Sequence, residues 1–221
     1  MSNTNNHRAV IFDLDGTLLD TIDDLADSMN KALSDLGFPV HDTEFYKETV
    51  GDGLPKLVER VLPEDHRDES TIKRCIADME EEYQNRWDRK TRPYDGILEL
   101  LAALDKRGIK MNVLSNKLEK YTQLAVQHYF PQFPFGYIRG ASPSIPRKPD
   151  PACALLIAKG LNIDPRHFVF IGDTNTDMKT AFAAGMFPVG ALWGFRDKNE
   201  LEESGAKAVI NYPLELLEYF D

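Results

Sequence analysis

Residues 9–20 read AVIFDLDGTLLD, and this stretch decides the fold of the 221-residue chain. Its first four residues form a continuous apolar run, which is typical of a strand covered on both faces of a parallel sheet. Further strands are predicted at residues 111–114, 135–138, 168–171, 188–192 and 208–210. Helical periods lie between them and stop at Gly108, Gly160 and Gly185. This alternation predicts an α/β fold with a doubly wound, Rossmann-like parallel sheet.

Residues 20–90 interrupt the alternation, because they carry helical stripes and no convincing strand. One stripe runs from Ile22 to Leu36 and ends at Gly37, and Pro55 opens another helix. We therefore expect a small helical cap domain at 20–92, inserted after the first strand. The catalytic core is expected to comprise residues 1–19 and 93–221, and the two crossings are typical of a hinge.

Composition narrows the class of protein. A hydrophobic fraction of 42% and a charged fraction of 28% are ordinary for a globular protein, and no apolar run is long enough to span a membrane. The net charge of −10 argues against nucleic acid as a partner.

The polar start, MSNTNNHRAV, lacks the apolar core of a secretory signal, so we expect a cytoplasmic protein. Cys75 and Cys153 are expected to be buried free thiols, and the choice between monomer and homodimer stays open.

Four aspartates follow the predicted strands at their carboxyl ends, where open parallel sheets bind ligands. They are Asp13, Asp15, Asp173 and Asp177. Carboxylates gathered in one pocket repel each other, and a hard divalent cation relieves that repulsion. Mg²⁺ prefers oxygen ligands, and no histidine or cysteine accompanies these aspartates as a zinc site requires. The sequence therefore predicts an Mg²⁺ site at this edge of the sheet.

The spacing of Asp13 and Asp15 indicates paired chemistry, since alternate residues of extended backbone point to the same side. One carboxylate can attack phosphorus while the other gives and takes a proton. An acidic protein also needs local positive charge to hold an anionic substrate, and Lys148 supplies it. The candidates for phosphate binding are Gly16, Ser115, Asn116 and Lys148.

Together these motifs resemble those of the haloacid dehalogenase superfamily of phosphatases, at residues 13–20, at Ser115, at 148–151 and at 172–177. The resemblance implies that Asp13 forms an aspartyl-phosphate. It also implies that Asp15 protonates the leaving oxygen and then deprotonates the attacking water. Lys148 would bridge nucleophile and phosphate. The implied Mg²⁺ ligands are the Asp13 carboxylate, the Asp15 backbone carbonyl and Asp173, with Asp177 acting through water or orienting the site.

Within the superfamily the chain is most similar to phosphoglycolate phosphatases. The similarity rests on residues 50–60, 92–96 and 193–196. It implies that Gly51, Asp52 and Gly53 form a cap loop that sets substrate specificity. Asp52 stands where an asparagine is more usual, and its charge disfavours a carboxylate substrate. The expected function is Mg²⁺-dependent hydrolysis of a small phosphorylated metabolite.

Other activities of the same fold remain open at this point. A sugar phosphomutase resembling β-phosphoglucomutase would need cap contacts to a second phosphate, and a pyrophosphatase is a further alternative. Cleavage of a carbon–phosphorus bond would need a cap lysine, for which Lys31, Lys47 and Lys56 are candidates by location only. A non-catalytic binding module is disfavoured because the nucleophile and the general acid are both present.

Overall fold

A computed structural model describes residues 6–220, so the polar start at residues 1–5 lies outside the described residues. The strands of the described residues, in chain order, are β1 (Ala9–Phe12), β2 (Leu19–Asp20), β3 (Arg92–Pro93), β4 (Lys110–Leu118), β5 (Phe135–Ala141), β6 (Phe168–Gly172), β7 (Phe187–Ala191) and β8 (Ala208–Ile210). The helices in chain order are α1 (Ile22–Asp35), α2 (Thr43–Thr49), α3 (Leu54–Val61), α4 (Glu69–Gln84), α5 (Ile97–Lys106), α6 (Glu119–Tyr129), α7 (Ala152–Leu161), α8 (Asn175–Ala183) and α9 (Lys198–Glu203). Short 3₁₀ turns occupy Glu64–His66, Pro165–His167 and Pro213–Tyr219.

Six strands form one parallel sheet in the order β5-β4-β1-β6-β7-β8. The chain runs outward from β1 through β4 to β5, and then returns to β6 on the other side of β1. The sheet therefore changes winding direction beside β1, at the point where ligands bind in open α/β sheets. The prediction of a doubly wound parallel sheet is confirmed, and β2 and β3 are additional two-residue strands that pair with each other.

Strand β1 is buried at all four positions, as its continuous apolar character predicted. Ala9 and Ile11 pack in a cluster with side chains of α7 and α8. Val10 and Phe12 point to the opposite face, because side chains alternate along a strand, and they are equally buried. Burial of both faces holds the end of β1 in a fixed place, and the candidate site begins at the next residue.

The chain forms two compact units: residues 1–19 with 93–221, and residues 20–92. The second unit contains α1 to α4, whose inward faces bury Met29, Leu33, Tyr46 and Val58. Asp24 is also buried there, and its carboxylate accepts bonds from Lys90 N (2.9 Å), Thr91 N (2.8 Å) and Thr91 Oγ1 (2.8 Å). The first turn of α1 is thereby tied to the end of the helical unit.

Two further expectations can be compared with the described residues. Cys75 and Cys153 are both buried free thiols, as predicted. Among residues 6–220, no helix is both long and apolar enough to cross a lipid bilayer.

Candidate active site

The candidate site lies where three neighbouring strands of the sheet end. Asp13 follows β1 directly, and its amide donates a 2.9 Å hydrogen bond to Ile171 O of β6. Ser115 lies in β4, and Asp173 follows β6. These side chains are buried, and the parallel register brings Asp13 together with residues that lie 102 and 160 positions further along the chain.

Three of the four predicted aspartates meet in one buried group. Ligand oxygens of Asp13, Asp173 and Asp177 all lie within 4.8 Å of one another. Burial, and then the charge of Asp177, raise the pKa of Asp13 to about 7. Burial, followed by the charges of Asp13 and Asp177, likewise raises the pKa of Asp173 well above its usual value. Both pKa values are raised because the carboxylates are buried and lie close to other negative charges.

The donor set fits a hard divalent cation. All three ligand groups are carboxylates, which Mg²⁺ prefers, and the group includes no histidine or cysteine of the described chain. Asp13 Oδ1 is buried, and the ammonium of Lys148 lies 2.8 Å from it. One ammonium does not balance three buried carboxylates, and a divalent cation would relieve their remaining repulsion. Asp13, Asp173 and Asp177 are therefore suited to hold a metal ion.

Lys148 is the cation inside this acidic group. Its Nζ lies 2.8 Å from Asp13 Oδ1 and donates a 2.6 Å hydrogen bond to Asp177 Oδ1. Burial lowers the pKa of Lys148, but the charges of Asp13 and Asp177 outweigh burial and raise it. Asn116 fixes the lysine's backbone, since its Oδ1 accepts from Lys148 N at 2.9 Å and its Nδ2 donates to Lys148 O at 3.0 Å.

Two hydrogen-bond donors orient the Asp173 carboxylate, and neither was predicted from the sequence. Thr17 Oγ1 donates to Asp173 Oδ1 at 2.9 Å, and Phe195 N donates to Asp173 Oδ2 at 2.9 Å. Both carboxylate oxygens are thereby fixed in direction. Hydrogen bonds from such outer residues are the usual means by which proteins orient metal ligands.

Two glycines let the chain close around Asp173. A methyl group at Gly194 would collide with the Asp173 side chain and with Gly16 O, and one at Gly16 would collide with Asp173 and with the ring of Phe195. Gly16 also has φ +85°, a conformation that favours glycine, and its amide donates to Leu19 O at 2.9 Å. Trp193 Nε1 adds a 2.9 Å bond to Thr17 O.

Asp177 is held by the start of its own helix. Its Oδ2 accepts hydrogen bonds from Thr174 N at 3.1 Å and from Thr174 Oγ1 at 2.7 Å, in a reciprocal capping arrangement at the N-terminus of α8. Oδ1 accepts from Lys148. The carboxylate therefore links the helix cap to the cation of the site.

Asp15 occupies a separate position from the other three aspartates. Its carboxylate oxygens accept hydrogen bonds from Lys117 Nζ at 3.0 and 3.1 Å. Ser115 Oγ accepts from Lys117 N at 3.2 Å. Sequence reasoning assigned one lysine to the site, and the structure adds Lys117 as a second. Its signal in the sequence was the spacing of two from Ser115, which places both residues on one face of an extended strand.

The predicted specificity loop lies in the helical unit, which is described here by itself. Gly51 and Gly53 have φ of +121° and +87° and bracket Asp52. The Asp52 carboxylate forms an ion pair with Arg60, whose Nη1 also donates to Thr49 O at 2.6 Å. The negative charge of Asp52 is therefore balanced by a neighbouring guanidinium within the unit.

Comparison with known proteins assigns the family. Residues 10–191 match the family model for haloacid dehalogenase-like hydrolases. The chain is 32% identical to a phosphoglycolate phosphatase from Pseudomonas putida, over 92% of this chain and 76% of that protein. It is 30% identical to one from Thiobacillus denitrificans, over 92% and 91%.

A solved structure from Lactobacillus delbrueckii subsp. bulgaricus, described as a candidate phosphoglycolate phosphatase, superposes with a TM-score of 0.91. The two sequences are 29% identical, and the match covers 96% of this chain and 97% of the other. The family predicted from the motifs at Asp13, Ser115, Lys148 and Asp173 is thus confirmed. The chain belongs to the haloacid dehalogenase-like hydrolase family, and it is an enzyme of that family.

Proposed function

We propose that this protein is an Mg²⁺-dependent phosphatase that hydrolyses a small phosphate monoester through a phosphorylated Asp13, with phosphoglycolate as the favoured substrate. The observation that carries the proposal is the placement of Asp13. Its carboxylate lies in a buried group with Asp173 and Asp177, and Lys148 Nζ is 2.8 Å away. Nucleophile, countercharge and metal ligands then occupy one dry pocket, where electrostatic stabilisation is strongest.

Asp13 is suited to the role of nucleophile. Its backbone is fixed by the hydrogen bond to β6, and its carboxylate lies 2.8 Å from the Lys148 ammonium. Bound Mg²⁺ would supply positive charge next to the phosphoryl oxygens and would hold Asp13 ionised. In the first step an Asp13 oxygen forms a bond to phosphorus as the bond between phosphorus and the leaving oxygen breaks.

Asp15 acts as the general acid and then as the general base. It gives a proton to the leaving oxygen in the first step, and it receives one from the water that hydrolyses the aspartyl-phosphate in the second. Lys148 neutralises the phosphoryl oxygens together with the metal, and Ser115 is available to donate its hydroxyl hydrogen. We propose that Asn116 and Gly16 contribute by shaping this pocket, Asn116 through the backbone of Lys148.

The preference for phosphoglycolate is supported by relatives that carry this name at about 30% identity. We propose that residues 20–92 form the cap domain and that the loop 51–53 contributes to substrate choice. The ion pair between Asp52 and Arg60 removes the objection that an uncompensated Asp52 would repel a carboxylate. A carboxylate-bearing phosphate ester is therefore compatible with this loop.

The test is release of phosphate from a panel of phosphorylated metabolites, with Mg²⁺ and with a chelator. Wild type is compared with Asp13→Asn and with Asp105→Asn, a matched change of an exposed carboxylate on α5. We expect Mg²⁺-dependent release by wild type and Asp105→Asn, and a loss of at least about 10³-fold in Asp13→Asn. Acid quenching should trap phosphate on wild type and on Asp105→Asn, but not on Asp13→Asn. Equal release by Asp13→Asn would contradict the proposal.

A further inference from the structure

The second lysine of the site has no part in the mechanism outlined above. Lys117 Nζ donates to both oxygens of Asp15, at 3.0 and 3.1 Å, and its side chain is 8% exposed against 21% for that of Asp15. A lysine normally keeps its ammonium in water, and an enclosed ammonium is costly unless it is paired. Lys117 is paired with Asp15, which places an enclosed positive charge beside the proposed general acid.

The two lysines of the site divide between the two catalytic aspartates. Lys148 pairs with Asp13, and Lys117 pairs with Asp15. In the proposed reaction Asp13 attacks phosphorus, whereas Asp15 serves the leaving oxygen. Lys148 is thus placed at the phosphoryl group and Lys117 at the leaving group.

Distance places Lys117 within reach of the leaving group's own substituents. A proton donor must lie about 2.6–3.2 Å from the oxygen that it protonates. Because Lys117 Nζ is 3.0 Å from Asp15 Oδ1, its ammonium lies at most about 6 Å from the leaving oxygen that Asp15 would protonate. A carboxylate on the carbon next to the ester oxygen can therefore reach the ammonium when it points toward Lys117. An ammonium and a carboxylate at such range attract strongly in a site with little water.

The negative charge around the site also supports a role for Lys117 in binding an anionic leaving group. The protein carries a net charge of −10, and Asp13, Asp15, Asp173 and Asp177 surround the reaction centre. An ester whose leaving group bears its own negative charge would be repelled here without a nearby cation. Lys148 is already engaged with Asp13 and Asp177, whereas Lys117 is the ammonium that contacts Asp15, the residue assigned to the leaving group.

We propose that Lys117 is a specificity-determining residue that selects phosphate esters whose leaving group carries an anionic substituent, such as a carboxylate, close to the ester oxygen. The inference rests on the proposed phosphatase function and goes beyond it by naming the residue that recognises the leaving group. Lys117 would exchange a contact with Asp15 for one with the substrate anion.

The experiment compares two esters of equal length that differ in leaving-group charge: phosphoglycolate and 2-hydroxyethyl phosphate. Lys117→Met should lower kcat/KM for phosphoglycolate about 10- to 100-fold more than for 2-hydroxyethyl phosphate, which is the range of one charge-assisted hydrogen bond. Lys117→Arg keeps the charge and should restore part of the preference. Lys110→Met removes an exposed lysine from the opposite end of β4 and should leave the ratio unchanged.

Several outcomes would overturn the inference. An equal fall for both esters would assign Lys117 to the positioning of Asp15 alone, and no fall would remove it from the reaction. Calorimetric binding of the two esters to Asp13→Asn, with and without Lys117→Met, gives the same comparison without turnover and reports on a folded protein. Phosphate release that survives Asp13→Asn would overturn the proposed function instead, so the two failures are distinguishable.

Discussion

Thr17 Oγ1 donates a 2.9 Å hydrogen bond to Asp173 Oδ1 across 156 positions of sequence. This contact joins the loop after β1 to the end of β6, and it fixes the direction of one oxygen of a predicted metal ligand. Phe195 N fixes the other oxygen. The site therefore depends on a set of orienting contacts as well as on its aspartates.

Removal of the Thr17 hydroxyl should weaken metal binding. Thr17→Val keeps the volume of the side chain but leaves Asp173 Oδ1 without its donor, and we expect the Kd for Mg²⁺ to rise about 10-fold. Calorimetric titration with Mg²⁺ measures the change. Thr17→Ser, which retains the hydroxyl, serves as the control. An unchanged affinity in Thr17→Val would show that Asp173 needs no orientation by this residue.

A methyl group at Gly194 should disturb the same ligand by steric contact. Gly194→Ala would press on the Asp173 side chain and on Gly16 O, so the Kd for Mg²⁺ should rise about 10-fold or more and the thermal midpoint should fall. Gly160→Ala provides the comparison, because a methyl group at this position of α7 would instead collide with the Tyr137 side chain of β5. That variant should retain the metal affinity of wild type. Equal metal affinity in both variants would contradict the steric account.

The pKa of Asp13 predicts how pH affects the metal-free protein. The pKa is about 7 in the folded chain, against the ordinary value of 3.8. Between these values the folded state holds a proton that the unfolded chain has released, so this contribution to stability falls as the pH rises from about 4 to about 7. The slope reaches about 1.4 kcal/mol per pH unit for one proton.

Urea unfolding in the presence of a chelator, from about pH 4.5 to pH 8, measures this effect. Wild type should lose stability relative to Asp13→Asn as the pH rises, because the variant has no carboxyl to ionise at this position. Added Mg²⁺ should reduce the difference, since the ion favours the charged carboxylate. Parallel curves for the two proteins in chelator would contradict the raised pKa.

The helical unit offers a prediction about stability. Asp24 is buried and accepts hydrogen bonds from Lys90 N and from both donors of Thr91. Asp24→Ala would leave these donors without the carboxylate, and we expect a loss of about 2–4 kcal/mol in the free energy of unfolding. Asp23→Ala changes the half-buried neighbour in the same turn and should cost less than about 1 kcal/mol. Equal losses would assign the effect to the helix terminus.

The sequence by itself determined the order of elements and the family. Continuous apolar runs such as Ala9–Phe12 predicted buried parallel strands, because only strands covered on both faces can be apolar at every position. The rule that ligands bind at carboxyl ends of strands then brought Asp13 and Asp173 to one edge. Local pattern and chain connectivity were sufficient for these conclusions.

Tertiary structure alone decided which side chains pair. The sequence predicts one site for four aspartates, yet the carboxylates of Asp13, Asp173 and Asp177 form one buried group while that of Asp15 binds Lys117. Members of the group lie far apart in the chain, and Asp13 and Asp177 are 164 positions apart. Their choice depends on the exact reach of each side chain from its strand end, on close approach at Gly194, and on exclusion of water. Those conditions arise only when the strands are side by side, because burial is what converts a nearby charge into a strong interaction.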